Sequence, residues 1–214
     1  MAYILTYSNL VSLLEVYLER TDSTLVDQIP TFILLAQTRI SREIKQLGTR
    51  EVVNSTFSGG TAVIQKPNDW RETISINYGT GTSSNTRITL LPRGYEYCRD
   101  FWPDPTQTSS TVKYYADYNY NYWLVAPTPD SSYPFEVMYY CTLKPIDSTT
   151  ETNWVTQYAP DLLLYACLLE TAPFLKADER VAVWQQMYDR ALAAINGEAQ
   201  ARIEDGASSR DGDK

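Results

Sequence analysis

Histidine is absent from the 214 residues. With it go every Ser-His-Asp and Cys-His arrangement and every His-ligated zinc site. Cysteine is scarce: Cys98, Cys141 and Cys167 stand far apart with no CxxC spacing. They read as small buried hydrophobes in a reducing compartment, and their odd number argues against a secreted disulfide framework. No segment reaches the roughly 18 consecutive apolar residues of a membrane span. Met1-Ala2-Tyr3-Ile4-Leu5 has no basic n-region, and Glu15 and Glu19 interrupt the apolar stretch after it. No signal peptide is expected. Basic runs are missing as well: 18 Lys and Arg face 26 Asp and Glu, a net charge of −8. Tight binding to nucleic-acid phosphates needs clustered cations, so it is not expected here.

Aromatics are plentiful, with 17 Tyr and 5 Trp. Such side chains serve interfaces as well as half-buried sheets. The length suits one large domain or two small ones, with a core that needs neither disulfide nor metal. Hydrophobic period divides the chain. Residues 1–49 carry helical stripes: Leu10, Leu13, Leu14, Tyr17 and Leu18, then Ile29, Phe32, Ile33, Ala36, Ile40 and Leu47. Thr21–Thr24 is a polar break. Asp27 is the expected cap of the second helix, Pro30 falls in its first turn, and Gly48 suits a left-handed helix end. Arg39 and Glu43 stand four apart and can pair.

Residues 50–150 read as about seven strands. Ser58-Gly59-Gly60 turns Glu51–Phe57 into Ala62–Gln65 as a hairpin. Arg71–Tyr78, Thr86–Leu91, Val112–Tyr118, Tyr122–Ala126 and Phe135–Leu143 are the other strands, with a short helix at Arg93–Phe101. Residues 151–203 are helical again. Pro160 and Asp161 mark a start, Pro173 a break, and Val181, Trp184, Tyr188, Ala191 and Ile195 form a heptad-like seam that Gly197 interrupts. The polar stretch 204–214 reads as a flexible C-terminal tail. The expected fold is therefore α+β: a four-helix bundle from the N- and C-terminal segments, 1–49 and 151–203, with a large antiparallel β insertion at 50–150.

Few constellations suggest chemistry. Gly79-Thr80-Gly81 is the one candidate phosphate loop, but it lacks the P-loop lysine and leads into a strand. It reads as a hairpin tip, a place where contacts are often carried. Asp100, Asp104 and Asp117 lie among Trp102, Tyr114, Tyr115 and Tyr118, a mixture that suits glycoside hydrolysis or, more plainly, a turn and an aromatic sheet face. No acid cluster has calcium-loop spacing, and no cofactor or metal is expected. Single-stranded nucleic acid would need a positive groove, yet Lys113 is the only basic residue between Arg99 and Leu143. Ala199, Arg202 and Ile203 lie past the expected bundle end and suit contact with a partner. Acidity grows along the chain: residues 1–50 balance, 51–150 hold 7 bases against 10 acids, and 151–214 hold 6 against 11.

The layout resembles the head-to-tail adaptor (connector) proteins of tailed bacteriophages, especially those of short-tailed phages. The residues that carry it are Ile29-Pro30-Thr31-Phe32-Ile33 with Ala36-Gln37-Thr38-Arg39-Ile40, the run Trp154–Ala166, and Asp178-Glu179-Arg180 with Trp184, Tyr188 and Ala191-Leu192. The resemblance implies a virion structural protein without catalysis. It would sit at the head-tail junction and be assembled in the host cytoplasm as a homo-oligomer ring of about twelve copies. The ring would lie beneath the portal protein, extend the DNA channel, and present a face to a tail or nozzle protein. Genomic DNA would pass without tight binding, and no membrane would be involved. A C-terminal extension reaching the portal maps to Ala199–Lys214, and Gly79, Thr80 and Gly81 would form a tail-facing loop. Two other readings compete: an aromatic-rich carbohydrate-binding or host-attachment module, and a small glycosidase using Asp100 or Asp104 with a second acid.

Overall fold

The computed structural model describes residues 4–45, 47–79, 86–175 and 179–211. In chain order its elements are α1 (Tyr7–Leu18), α2 (Ser23–Val26), α3 (Ile29–Glu43), β1 (Arg50–Phe57), β2 (Val63–Gln65), β3 (Trp70–Tyr78), β4 (Ile88–Thr89), β5 (Leu91–Pro92), α4 (Tyr95–Phe101), β6 (Tyr114–Asp117), β7 (Tyr122–Ala126), β8 (Tyr133–Cys141), α5 (Trp154–Tyr158), α6 (Pro160–Leu175) and α7 (Val181–Asp211). A 3₁₀ turn at Leu47–Thr49 leads into β1. The chain forms two compact units, residues 1–49 with 142–214, and residues 50–141.

In the first unit, local sequence sets the helix ends. The Thr6 side chain accepts from the Asn9 amide to start α1, and Glu19 ends it in the left-handed region at φ 53°. Asp22 accepts from the Leu25 amide and turns the polar break into α2. Asn153 and Thr156 form a reciprocal capping box that starts α5. Ala159 leaves the helical region before Pro160, which separates α5 from α6. Helix α6 buries Leu162, Leu163, Ala166, Cys167, Leu168 and Leu169 around most of its circumference. It is the central helix, packed against α1, α3, α5 and α7.

Buried polar groups finish this packing. The Gln37 Oε1 on α3 accepts from the Ile146 amide at 3.3 Å and from Asn153 Nδ2 at 2.9 Å. The Ser41 hydroxyl accepts from the Leu143 amide at 3.2 Å. These bonds hold the segment leaving β8 against α3, where orphaned donors would each be costly.

Among the described residues, the second unit has two four-stranded sheets, ordered β1-β8-β3-β4 and β2-β7-β6-β5. Strand β8 alternates, with Phe135, Val137, Tyr139 and Cys141 buried. They share one apolar core with Trp123 and Val125 of β7. The opposite face of β7 puts Leu124 and Ala126 against Cys98 of α4. Burial on both sides explains why Trp123-Leu124-Val125-Ala126 is an unbroken apolar run. The Thr73 hydroxyl accepts from the indole of Trp70 at 3.0 Å and from that of Trp123 at 2.9 Å. Lys66 is buried and donates to Asp117 at 2.6 Å, with its ammonium 3.4 Å from the Trp70 ring centroid.

This architecture corrects the expected four-helix bundle with one antiparallel β insertion. The helical unit holds six helices among the described residues, because capping at Asp22 and Asn153 creates α2 and α5. The strand region is two sheets with a helix of its own, and β5 pairs with β6 in parallel. β1 does not form a hairpin with β2: it pairs antiparallel with β8, and β2 pairs with β7. The turn after β1 instead carries the chain to the other sheet, with the Gly60 amide donating to Pro129 O at 2.8 Å.

Five smaller expectations change too. Helix α6 continues past Pro173 to Leu175, and α7 runs through Gly197 to Asp211. Arg39 pairs with Glu170 at 2.7 Å, not with Glu43. Gln28, not Asp27, occupies the cap position of α3. Gly48 is required by close approach rather than handedness: a Cβ there would overlap the Trp154 indole.

Candidate functional site

Three surfaces could carry contacts. The first surrounds α4, which buries Cys98 against β6 and β7 and turns its aromatic side chains outward. Tyr97 and Phe101, one turn apart, stack at 6.4 Å and meet the Tyr114 ring edge-on at 5.4 and 4.9 Å. The Arg93 guanidinium lies 5.5 Å from the Tyr97 ring centroid. Arg99 donates to the Tyr95 hydroxyl at 3.3 Å, and Tyr95 lies 5.8 Å from Tyr118. Tyr95, Tyr97 and Tyr118 are each more than 40% exposed. Exposed Tyr and Arg held rigidly by one another are the usual composition of interface hot spots.

The second surface is a groove of about 420 Å³ between β1 and β2. Val53, Phe57, Ile64, Trp123, Phe135 and Val137 form its apolar part. Both flanking strands are sheet edges, paired on one side only. β1 is eight residues long, and its charges, Arg50 and Glu51, stand at its first two positions, so the six residues after them carry none of the Pro or charged side chains that commonly blunt an edge. Glu51, Asp69 and Cys141 bring their oxygen and sulfur atoms within 4.8 Å of one another. Burial pushes the Cys141 thiol up, and Asp69 already accepts from the Tyr139 hydroxyl at 3.1 Å. The group makes an acidic spot, with one of its carboxylates already engaged by Tyr139.

The third surface is α7. Its 31 residues span about 46 Å, against about 24 Å for the 16 of α6. Trp184, Tyr188 and Ala191 are buried, whereas the described side chains from Asn196 to Ala201 are exposed. Beyond Ile195 the helix thus runs on with its described side chains at the surface. The backbones of Ala199, Arg202 and Ile203 belong to this part.

The remaining candidates lie elsewhere. Gly79 is buried at φ 90° and its amide donates to Pro134 O at 2.8 Å, whereas Thr80 and Gly81 lie outside the described residues. Asp104 accepts from the Thr106 hydroxyl at 2.6 Å and amide at 2.9 Å, which hold its carboxyl below the usual range. A general acid needs the opposite shift. Asp117 is engaged by Lys66 and Asp100 is exposed on α4. The Lys66 cage and the groove were not among the residues expected from sequence. Neither has a local signature: the Lys66 cage closes on Asp117, 51 residues on, and the apolar part of the groove is completed by Trp123, Phe135 and Val137, all more than 50 residues beyond its flanking strands; the i, i+4 aromatic spacing in α4 was the one available sign.

Exposed aromatics packed on one another and a long sheet edge are the features of a contact-making protein. A family model described as SU10 adaptor protein matches residues 5–211, and the chain belongs to that family. It is a phage adaptor, a structural and non-enzymatic component. No curated protein matches the chain. Among the described residues, no helix is long and apolar enough to cross a membrane.

Proposed function

We propose that this adaptor is the head-to-tail connector of a short-tailed phage, a homododecameric ring at the virion neck that extends the DNA channel between portal and tail. The observation that carries this reading is α7, a helix that continues well past the core it packs on. Such a helix reaches a second protein without cost to its own unit. Ala199, Arg202 and Ile203 form the portal-docking segment, and the stretch to Lys214 extends it. The loop of Gly79, Thr80 and Gly81 faces the tail or nozzle protein. The aromatic face around α4 supports the same reading, as it offers hot-spot chemistry without a catalytic group.

The net charge of −8 suits a channel through which DNA slides. Each phosphate held by Lys or Arg would add affinity through counterion release, and a ring multiplies such contacts. Acidic walls repel over a Debye length of about 8 Å and leave passage open.

Truncation after Ile203 tests the extension of the docking segment to Lys214. The shortened chain is expected to fold as before and to bind purified portal rings more weakly. Equal binding by full-length and truncated chains overturns the role of the stretch after Ile203, and acidic replacements at Ala199, Arg202 and Ile203 in the full chain test those residues in the same assay. Negative-stain images of the bound material test the ring, and submicromolar binding to duplex DNA at physiological salt counts against the channel.

A further inference from the structure

The β unit carries a second feature shaped to fit its own groove. Residues Arg87-Ile88-Thr89-Leu90-Leu91-Pro92-Arg93 cross from one sheet to the other as β4 and β5, on the side of the sandwich opposite to β1 and β2. Amide bonds pin this segment: Leu90 to Ile76 O at 2.8 Å, Leu91 to Lys113 O at 2.9 Å and Arg93 to Tyr115 O at 2.9 Å. Leu90 points into the core, and Ile88 and Leu91 are 39% and 49% exposed. With Val52 on β1, they are the exposed large aliphatics among the described residues of this unit.

We infer that the segment Arg87–Arg93 of one copy seats in the β1/β2 groove of a second copy, giving a head-to-tail contact between subunits. Charge complementarity supports the pairing. The segment has an exposed arginine at each end: Arg87 meets Glu136 of its own chain at 3.3 Å and Arg93 lies beside the Tyr97 and Tyr114 rings, surface contacts that docking would exchange or share. The groove has Glu51 and Asp69 beside its Val53–Pro67 end. At its other end Ser58 and Thr61 line it with hydroxyls that can accept from a guanidinium, and the lining cation, Lys66, is held by Asp117. The lengths agree as well. Glu51 to Ser58 spans about 23 Å and Arg87 to Arg93 at most about 20 Å, at ~3.3 Å per residue. Ile88 and Leu91 would bury in the apolar part of the groove, and Pro92, lacking an N–H, keeps this edge from extending as a strand.

A second copy is the occupant because every chain presents both halves on opposite edges of one sandwich. Contact between two different patches repeats head to tail and closes where the rotation allows. The inference rests on the ring reading above and names the surface that would build it.

Two full-length variants test it. Ile88→Asp with Leu91→Asp removes the insert and leaves the groove. Ser55→Arg with Thr61→Arg plugs the groove, at two exposed rim positions, and leaves the insert. Each is expected to weaken self-association at least about tenfold, read by sedimentation across a concentration series, with circular dichroism unchanged. Mixed in equal amounts, the two variants retain one good contact per pair and should give a dimer that grows no further. If the wild type forms rings and both variants form the same rings, or the mixture yields no dimer, the contact is overturned and the ring stands. If the wild type is monomeric both alone and on portal rings, ring and contact fall together.

Discussion

The Tyr188 hydroxyl donates to the Glu43 carboxylate at 2.6 Å, joining α7 to α3 across 145 residues of sequence. The Arg39 guanidinium lies 5.9 Å from the same tyrosine ring and reaches Glu170 of α6 at 2.7 Å. One small polar cluster therefore fixes three helices, at the base of the helix proposed to reach the portal. Tyr188→Phe leaves the ring packed and removes the bond. A loss of about 1–2 kcal/mol is expected, since the acceptor is a carboxylate. Urea unfolding should show a lower midpoint at unchanged slope.

Alkaline pH should act through the same tyrosine and four others. Burial is the main force raising Tyr188, Tyr139, Tyr115 and Tyr78, and the Asp130 carboxylate beside Tyr133 raises it to about 12. The folded state thus favours the protonated phenols. That contribution is complete below the ordinary tyrosine value of 10.0 and is lost as pH climbs through the folded values. Circular dichroism and tyrosinate absorbance, tracked together, should show unfolding setting in above about pH 10. Full native signal with all tyrosines ionised would contradict this.

Lys66 offers a test inside the β unit. Asp117→Asn removes the partner of a cation whose side chain is 1% exposed. Asn119 O at 3.0 Å and the Trp70 ring remain, and Asp117 is itself 61% exposed. The expected loss is about 1–2 kcal/mol, below the ~3–5 kcal/mol of a fully buried pair. Tryptophan fluorescence should report it, because Trp70 and Trp123 both face the ammonium.

Gln37→Leu fits the volume of its site but leaves the Ile146 amide and Asn153 Nδ2 without this acceptor. Asn153 keeps its bond to Lys144 O at 2.8 Å. A loss of about 2–3 kcal/mol is expected, chiefly from the stranded amide. Faster hydrogen exchange at Ile146 would locate the damage.

Gly48→Ala should be costly despite the small change. Its Cβ would overlap the Trp154 indole, so the ring must move, with an overpacking cost of about 1–3 kcal/mol. Trp154→Leu in the same chain should recover part of the loss. If Gly48→Ala alone has native stability, the close approach is not a constraint.

Some of the fold was legible in local pattern. β7 and most of β3 fall where alternating and continuous apolar runs put them, and Leu10, Leu14 and Leu18 mark the buried face of α1. The α4 patch was half legible: Tyr97 and Phe101 share a helix face by spacing, but nothing local says that Tyr114 and Arg93 complete it. β1 misled most. Its proximity to β2 and the intervening glycines suggested a hairpin, while the better-buried partner was β8, some 80 residues on.

Residue order alone accounts for the absence of histidine chemistry, the acidic balance, the caps at Thr6, Asp22 and Asn153, and the apolar stripes of the helices. The caps and stripes arise from forces that act within three or four residues. Folding in three dimensions was needed to join β1 to β8, to anchor residues 146 and 153 on Gln37, to bring Tyr188 to Glu43, and to open an apolar groove between two edges. Those depend on which distant surfaces bury best together, and a strand or a buried amide carries no local mark of the partner that will satisfy it.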